Sequence, residues 1–96
     1  MTLQEFKSSL SNGNPPAGLS SELKAMWYDG KEDWNQAHEI AQEVNTAPHC
    51  LVHAYLHRKE GDQWNANYWY NRAGRKMPNV SLAQEWEIIV QEFLVA

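Results

Sequence analysis

The segment from Pro48 to Glu60 restricts the fold more than any other part of the sequence. At about 100° per residue, its apolar side chains cover most of the circumference of a predicted helix. A helix of this kind has neighbours on several sides, whereas a surface helix buries a single stripe. The remaining narrow stripe is polar and consists of His49, His53, His57 and Glu60. The pattern therefore predicts a central helix that other helices surround. The apolar residues are Cys50, Leu51, Val52, Ala54, Tyr55 and Leu56.

This central helix belongs to the second of two predicted helical hairpins, at residues 20–45 and 48–74. Gly30 and Gly61 are each predicted to end a helix in the left-handed conformation, which glycine adopts without strain. The helix after Gly30 is predicted to extend from about Lys31 to Val44. Its predicted buried face consists of Trp34, Ala37, Ile40, Ala41 and Val44.

The two ends of the chain are predicted to cover the hairpins. Residues 1–19 form an arm with a short helix, which we expect to dock only loosely, followed by a loop rich in proline. The C-terminal helix, residues 81–96, begins at Ser81, and Ser81 with Gln84 forms a capping-box pattern. We therefore predict one all-α domain over residues 1–96, with antiparallel hairpins, four main helices plus a short N-terminal helix, and a C-terminal capping helix.

The second hairpin ends in a pattern found in one group of repeat proteins. The segment from Ala66 to Ala73 reads Ala-Asn-Tyr-Trp-Tyr-Asn-Arg-Ala, and Trp34-Asn35 recurs as Trp64-Asn65 one hairpin later. Together with Gly30, Ala37, Tyr55 and Gly61, these residues resemble tetratricopeptide and Sel1-like helical repeats. The resemblance covers roughly residues 20–74 and implies a protein or peptide partner that binds in a groove between hairpins. Taken whole, the chain also resembles small bacterial proteins without an assigned activity, which implies no reaction.

Composition and charge favour some classes of partner over others. The net charge is −4, the pI is near 5.5, and the Lys and Arg residues are scattered. This pattern argues against nucleic acid, because proteins that bind it usually cluster positive charge. No stretch approaches the roughly 18 apolar residues of a membrane helix, and no leader pattern opens the chain, so we expect a cytoplasmic protein without a membrane partner. The one cysteine, Cys50, cannot form an internal disulfide.

The histidines are the sharpest candidates for chemistry. His49, His53 and His57 are spaced i, i+4, i+8, and histidines four residues apart on a helix can bridge a zinc, nickel or copper ion. His38, on the preceding helix, could add a ligand if that face turns toward His53. A metalloprotease signature is absent, because Ala54 stands where its glutamate would follow the first histidine. The alternative is that these histidines are half-buried structural residues without a metal.

An aromatic set on the second hairpin provides the other candidate site. Trp64, Tyr68 and Arg72 lie off the main apolar face of their helix, and these residue types are enriched at interface hot spots. They could equally pack beneath the last helix or the N-terminal arm. No nucleophile motif, phosphate-binding loop or dinucleotide fingerprint occurs, so no catalytic residues are predicted.

The preferred hypothesis is therefore non-catalytic binding of a protein or peptide, or self-association into a homo-oligomer, through one surface on the second hairpin. It requires no cofactor. The alternative is a metal-binding protein or small metal-dependent hydrolase that uses His53 and His57 with His49 or His38. The predicted binding surface consists of Trp64, Tyr68, Arg72, His49, His53 and His57.

Overall fold

The computed structural model describes residues 1–96 and contains six α-helices and no strand. The predicted all-α class is thereby confirmed. The predicted count of four main helices is not, because the C-terminal helix is the longest of the six at 14 residues and buries Trp86, Ile89 and Val90. None of the helices is long and apolar enough to cross a membrane. The helices are α1 (Leu3–Ser9), α2 (Ser21–Gly30), α3 (Trp34–Ala41), α4 (Ala47–Lys59), α5 (Gln63–Arg72) and α6 (Leu82–Val95).

Helix α4 lies at the centre, as its sequence predicts. It packs against α2, α3, α5 and α6, and the side chains of Val52, Ala54 and Leu56 are fully buried. Thr46 caps its N-terminus by accepting the backbone N–H of His49 at 3.3 Å, and a proline in the first turn costs no hydrogen bond there. Any polar group on α4 must therefore find a partner on a neighbouring helix.

The two hairpins share one turn geometry at an offset of 29 residues. The backbone N–H of Asp33 donates to the carbonyl of Tyr28, and that of Asp62 donates to the carbonyl of His57, both at 2.9 Å. Each aspartate then caps the helix that follows it. The caps at positions 33 and 62 are 29 residues apart, whereas Trp34 and Trp64 are 30 apart. The recurring Trp-Asn pair is therefore one residue out of register with the structural repeat.

The left-handed residue of the first turn is Glu32, at φ 62°, and not Gly30 as predicted. The equivalent residue of the second turn is Gly61, at φ 88°. Gly30 instead lies in the last turn of α2, where a Cβ atom would come 2.9 Å from Cδ2 of Leu10. Glycine at position 30 thus permits close packing of the N-terminal arm and is not required by its backbone angle.

Helix α3 is shorter than predicted and ends at Ala41. Val44 is 47% exposed, so the prediction that it is buried is wrong. The physical reason is the early start of α4 at Ala47, which leaves only residues 42–46 to reverse the direction of the chain.

The N-terminal arm is firmly docked, contrary to our expectation. Phe6 is completely buried, and its ring lies 5.8 Å from that of Trp86. The indole N–H of Trp27 donates to the hydroxyl of Ser9 at 3.1 Å, and the ammonium of Lys31 donates to a carbonyl of the arm, that of Leu10, at 2.8 Å. These contacts tie α1 to α2 and α6.

Two buried carboxylates connect α4 to its neighbours. Asp29 on α2 accepts hydrogen bonds from the hydroxyl of Tyr55 and the ammonium of Lys59, both at 3.0 Å. Burial, followed by the Asp29 charge, raises the pKa of Tyr55. Glu85 on α6 pairs with Arg58 at 2.6 Å and accepts the hydroxyl hydrogen bond of a second tyrosine. Each buried carboxylate has a positively charged partner, Lys59 for Asp29 and Arg58 for Glu85, so neither charge is left unpaired.

Candidate functional site

Three of the four histidines meet between α3 and α4. The Nε2 atoms of His38 and His53 lie 3.0 Å apart, and the ring of His57 stacks on that of His53 at 4.8 Å between centroids. One ring nitrogen from each of the three residues lies within 4.8 Å of the others. We call these three residues the histidine cluster. His38 belongs to α3 of the first hairpin, and His53 and His57 belong to α4 of the second. The cluster therefore forms only when the two hairpins pack together.

Trp34 positions the α3 side of the cluster. Its indole N–H donates to the carbonyl of Leu56 at 2.9 Å, which fixes α3 against α4. The same indole stacks on the ring of His38, with centroids 4.7 Å apart and planes 9° from parallel. Because His38 is four residues after Trp34, both side chains point to the same side of α3. The imidazole of His38 is therefore held facing α4.

Trp69 of α5 covers the cluster on another side. Its ring stacks on His53 at a centroid distance of 4.0 Å, with planes 14° from parallel. Helix α5 packs principally against α4, and Ala66, one turn before Trp69, is fully buried in that contact. The histidine cluster thus lies between two indole rings, one from each hairpin.

Burial favours the neutral forms of His53 and His38. Desolvation lowers the pKa of His53 to about 4, and the proximity of His38 and His57 adds to this shift. Desolvation also lowers the pKa of His38, followed by the effect of His57. A neutral imidazole has a free nitrogen lone pair, which is the form that binds a metal ion.

The short contact between His38 and His53 requires a hydrogen on one of the two Nε2 atoms. When both rings are neutral, one Nε2 carries a hydrogen and donates it to the lone pair of the other. A metal bound by both Nε2 atoms needs both lone pairs, so the donating ring must move its proton to Nδ1. Binding at this pair therefore requires a change of tautomer and not the loss of a positive charge.

His57 has its own orienting partner. Its Nδ1 atom lies 2.7 Å from a carboxylate oxygen of Glu60, so Nδ1 carries the hydrogen and donates it. The lone pair of a neutral His57 is then on Nε2. Carboxylates that hold the second nitrogen of a histidine in this way are common around bound metals, where they fix the ring and increase its basicity.

His49 lies apart from the cluster although it shares the stripe of His53 and His57. Its Nδ1 atom lies 2.7 Å from the hydroxyl of Thr46, and its Nε2 atom lies 2.7 Å from the hydroxyl of Ser21 on α2. Both ring nitrogens are thus occupied in joining the N-terminal ends of two helices. The structure brings His38 to His53 and His57, and it places His49 elsewhere.

The aromatic set on α5 is exposed. Trp64 and Tyr68 are 75% and 44% exposed, their rings lie 6.2 Å apart, and the guanidinium of Arg72 lies 5.7 Å from the Tyr68 ring. Neither α6 nor the N-terminal arm covers them. We call Trp64, Tyr68 and Arg72 the α5 ladder. Tyr68 and Arg72 each contact the ring of Trp69, at 5.2 and 5.5 Å. Because Trp69 stacks on His53, the ladder adjoins the histidine cluster but adds no ligand to it.

The sequence did not predict that the indole rings of Trp34 and Trp69 stack on the histidine cluster. The sequence pattern assigns Trp34 only to the buried face of its helix and gives Trp69 no role in a site. For Trp34 a signal existed, since it precedes His38 by one helical turn. For Trp69 no such signal existed, because its contact with His53 depends on how α5 packs against α4.

None of the protein families, curated proteins and solved structures compared with this chain matches it. The similarity to tetratricopeptide and Sel1-like repeats stays a prediction.

Proposed function

We propose that the protein binds a divalent transition-metal ion through His38, His53 and His57. The observation that carries this proposal is the convergence of three imidazoles, two of them with a lowered pKa, from two helices. Imidazole nitrogen is a preferred ligand of zinc, nickel and copper. His49 takes no part, because hydroxyl groups occupy both of its nitrogens.

The spacing of the cluster is close to what such an ion needs. Zinc lies about 2.0 to 2.1 Å from histidine nitrogens in a tetrahedral arrangement, which puts two ligand nitrogens about 3.3 Å apart. The Nε2 atoms of His38 and His53 are 3.0 Å apart, so a small rotation of either ring accommodates the ion. His57 must approach more closely, and its hydrogen bond to Glu60 through Nδ1 leaves Nε2 as its free nitrogen.

Three protein ligands leave the fourth position of a tetrahedral zinc ion open. A water molecule or a small exchangeable ligand can occupy it. We propose binding and not hydrolysis as the function, because the carboxylate that contacts the cluster, Glu60, is engaged by His57. A metal-dependent hydrolase would need a further base.

Isothermal titration of untagged, chelator-treated protein with Zn²⁺ tests this proposal. We expect one ion per chain, and we expect His53→Asn to lower the affinity at least 100-fold. His49→Asn is the matched control, since it changes the same residue type on the same helix one turn away, and its affinity should stay within about threefold of wild type. Equal loss in both variants, or no stoichiometric binding by the wild type, would contradict the proposal.

Partner binding through the α5 ladder is a second candidate function. The exposure of Trp64 and Tyr68, which stack beside Arg72 on an uncovered helix, favours it. Tryptophan, tyrosine and arginine contribute most to binding energy at protein interfaces. Trp64→Ala should weaken association with a partner without a change in the unfolding temperature.

A further inference from the structure

The outward face of α5 has an unusual composition for an acidic chain. The chain carries a net charge of −4, yet α5 contains no acidic residue and no lysine, and its one charged residue is Arg72. Protein interfaces are similarly depleted of lysine, aspartate and glutamate and enriched in tryptophan, tyrosine and arginine. The exposed residues of α5 are Gln63, Trp64, Asn67, Tyr68, Asn71 and Arg72.

The α5 ladder is also symmetric in its spacing. Tyr68 is four residues after Trp64 and four residues before Arg72, so it marks the midpoint of the ladder. When two such helices lie antiparallel with a two-fold axis at Tyr68, the N-terminal end of each ladder meets the C-terminal end of the other. In a two-fold contact, a residue that meets a second residue of the partner copy is met by that same pair in reverse, and a residue on the axis meets its own copy.

We propose that α5 pairs with α5 of a second copy in this antiparallel arrangement, with Trp64 of each copy against Arg72 of the other. The inference rests on the partner binding proposed above and names the partner. Each copy supplies one indole ring and one guanidinium, so the dimer contains two equivalent cation–π contacts around a central pair of Tyr68 side chains.

The guanidinium of Arg72 already lies beside two aromatic rings of its own chain. It lies 5.7 Å from the ring of Tyr68 and 5.5 Å from the ring of Trp69 within its own chain. A restrained side chain loses less rotamer entropy when it binds. Charge does not oppose the pairing, although both chains are acidic. Helix α5 contains no aspartate or glutamate, so the contact places no two carboxylates together.

The size of the contact limits its strength. The ladder spans nine residues from Trp64 to Arg72, and the eight steps between them correspond to about 12 Å of helix. A single short helix pair buries less than the roughly 1,200 Å² of a typical stable interface. We therefore expect a reversible dimer with a dissociation constant in the micromolar range, and not an obligate one.

Sedimentation equilibrium from about 1 μM to about 1 mM protein tests the dimer. We expect a monomer–dimer equilibrium that Trp64→Ala and Arg72→Ala each weaken at least tenfold. The double variant should be little weaker than either single variant, because both changes remove the same contact. Ile88→Ala is the control, since Ile88 is an exposed apolar residue on α6. A wild type that stays monomeric at 1 mM, or a dimer that Trp64→Ala leaves intact, would overturn the proposal.

Disulfide trapping tests the antiparallel register. Tyr68→Cys should form a disulfide-linked dimer under mild oxidation, because the axis brings the two cysteines together, whereas Gln91→Cys on α6 should not. The native Cys50 is buried and does not compete. Equal cross-linking of both variants would overturn the register.

Failure of the dimer is distinguishable from failure of partner binding. If the wild type is monomeric, immobilised wild type and Trp64→Ala can be compared for binding of other proteins, with Ile88→Ala as the reference. Binding that depends on Trp64 in a monomeric protein overturns self-association but retains the α5 ladder as a binding surface. Binding that is independent of Trp64 overturns both.

Discussion

His49 and His53 lie one turn apart on the same helix, and their environments are opposite. Both are almost fully buried, at 5% and 6% exposure, and both belong to one polar stripe of α4. His49 lies between two hydroxyl groups, which can donate to or accept from either ring nitrogen, and a carboxylate oxygen of Glu22 lies 3.8 Å from its Nδ1 atom. His53 lies between another imidazole and an indole face, neither of which is a carboxylate that could stabilise a positive charge.

The difference shows that partners from other helices decide what a buried histidine does. Hydroxyl groups satisfy His49 completely, so its role is to join α2 and α4. The partner of His53 is a second histidine that competes for the same proton, and both rings resist protonation. A metal ion can bind the lone pairs of both rings once the shared proton has moved to Nδ1, whereas an added proton would place a positive charge on a buried ring. The comparison can be tested by changing the pH, His49 or the partner of His57.

The largest expected effect is acid destabilisation of the metal-free protein through His53. Its pKa is about 4 in the folded chain, below the ordinary value of 6.5. Between these pH values the unfolded chain binds more protons, so stability decreases as the pH falls below about 6.5 and stops decreasing from this cause near pH 4. The loss should reach about 3 kcal/mol at most. Urea unfolding at pH 7 and pH 4.5 measures it.

The controls are two histidine variants. His53→Asn should remove most of the histidine-dependent loss, whereas His49→Asn should retain it, because both variants keep the carboxylates that also titrate in this range. If the two variants show the same dependence on pH, the contrast between the two histidines is wrong.

The second expected effect is structural and concerns His49. His49→Ala removes the hydrogen bonds to Thr46 and Ser21 and leaves a small cavity, which should lower the free energy of unfolding by about 2 kcal/mol. Zinc affinity should stay within about threefold of wild type, since His49 does not contact the cluster. Thermal unfolding and zinc titration of the same sample measure both effects. A His49→Ala variant that keeps its stability but no longer binds zinc would show that His49 is a metal ligand and not a structural residue.

The pattern of single helices was predictable because it depends on local chemistry. The apolar circumference of residues 50–56 predicted the central position of α4, and Ser81 with Gln84 predicted the capping box that begins α6. The spacing of the stripe also identified His53 and His57 as neighbours. Each of these features involves residues within about two helical turns of one another.

Features that depend on tertiary packing were not predictable in the same way. Periodicity grouped His49 with His53 and His57, because nothing in the spacing shows that Ser21 reaches one ring and His38 another. The role of Gly30 was misread for the same reason, since its need for a small side chain arises from the docked arm. Local spacing thus predicts that His53 and His57 are neighbours, whereas the contact between His38 and His53 depends on how the helices pack.

The smallest expected effect concerns Glu60, which contacts His57 but does not belong to the cluster. Glu60→Gln keeps the size of the side chain and removes its charge, so the amide oxygen can still accept the hydrogen bond from Nδ1 but polarises the ring less. Zinc affinity should decrease about tenfold, which corresponds to about 1.4 kcal/mol. The free energy of unfolding of the metal-free protein should change by less than about 0.5 kcal/mol, because the carboxylate is partly exposed. Glu43→Gln, an exposed change beyond the end of α3, should leave both quantities unchanged. An affinity that Glu60→Gln does not alter would show that His57 needs no carboxylate to present its Nε2 atom, and the zinc ion would then depend chiefly on the pair formed by His38 and His53.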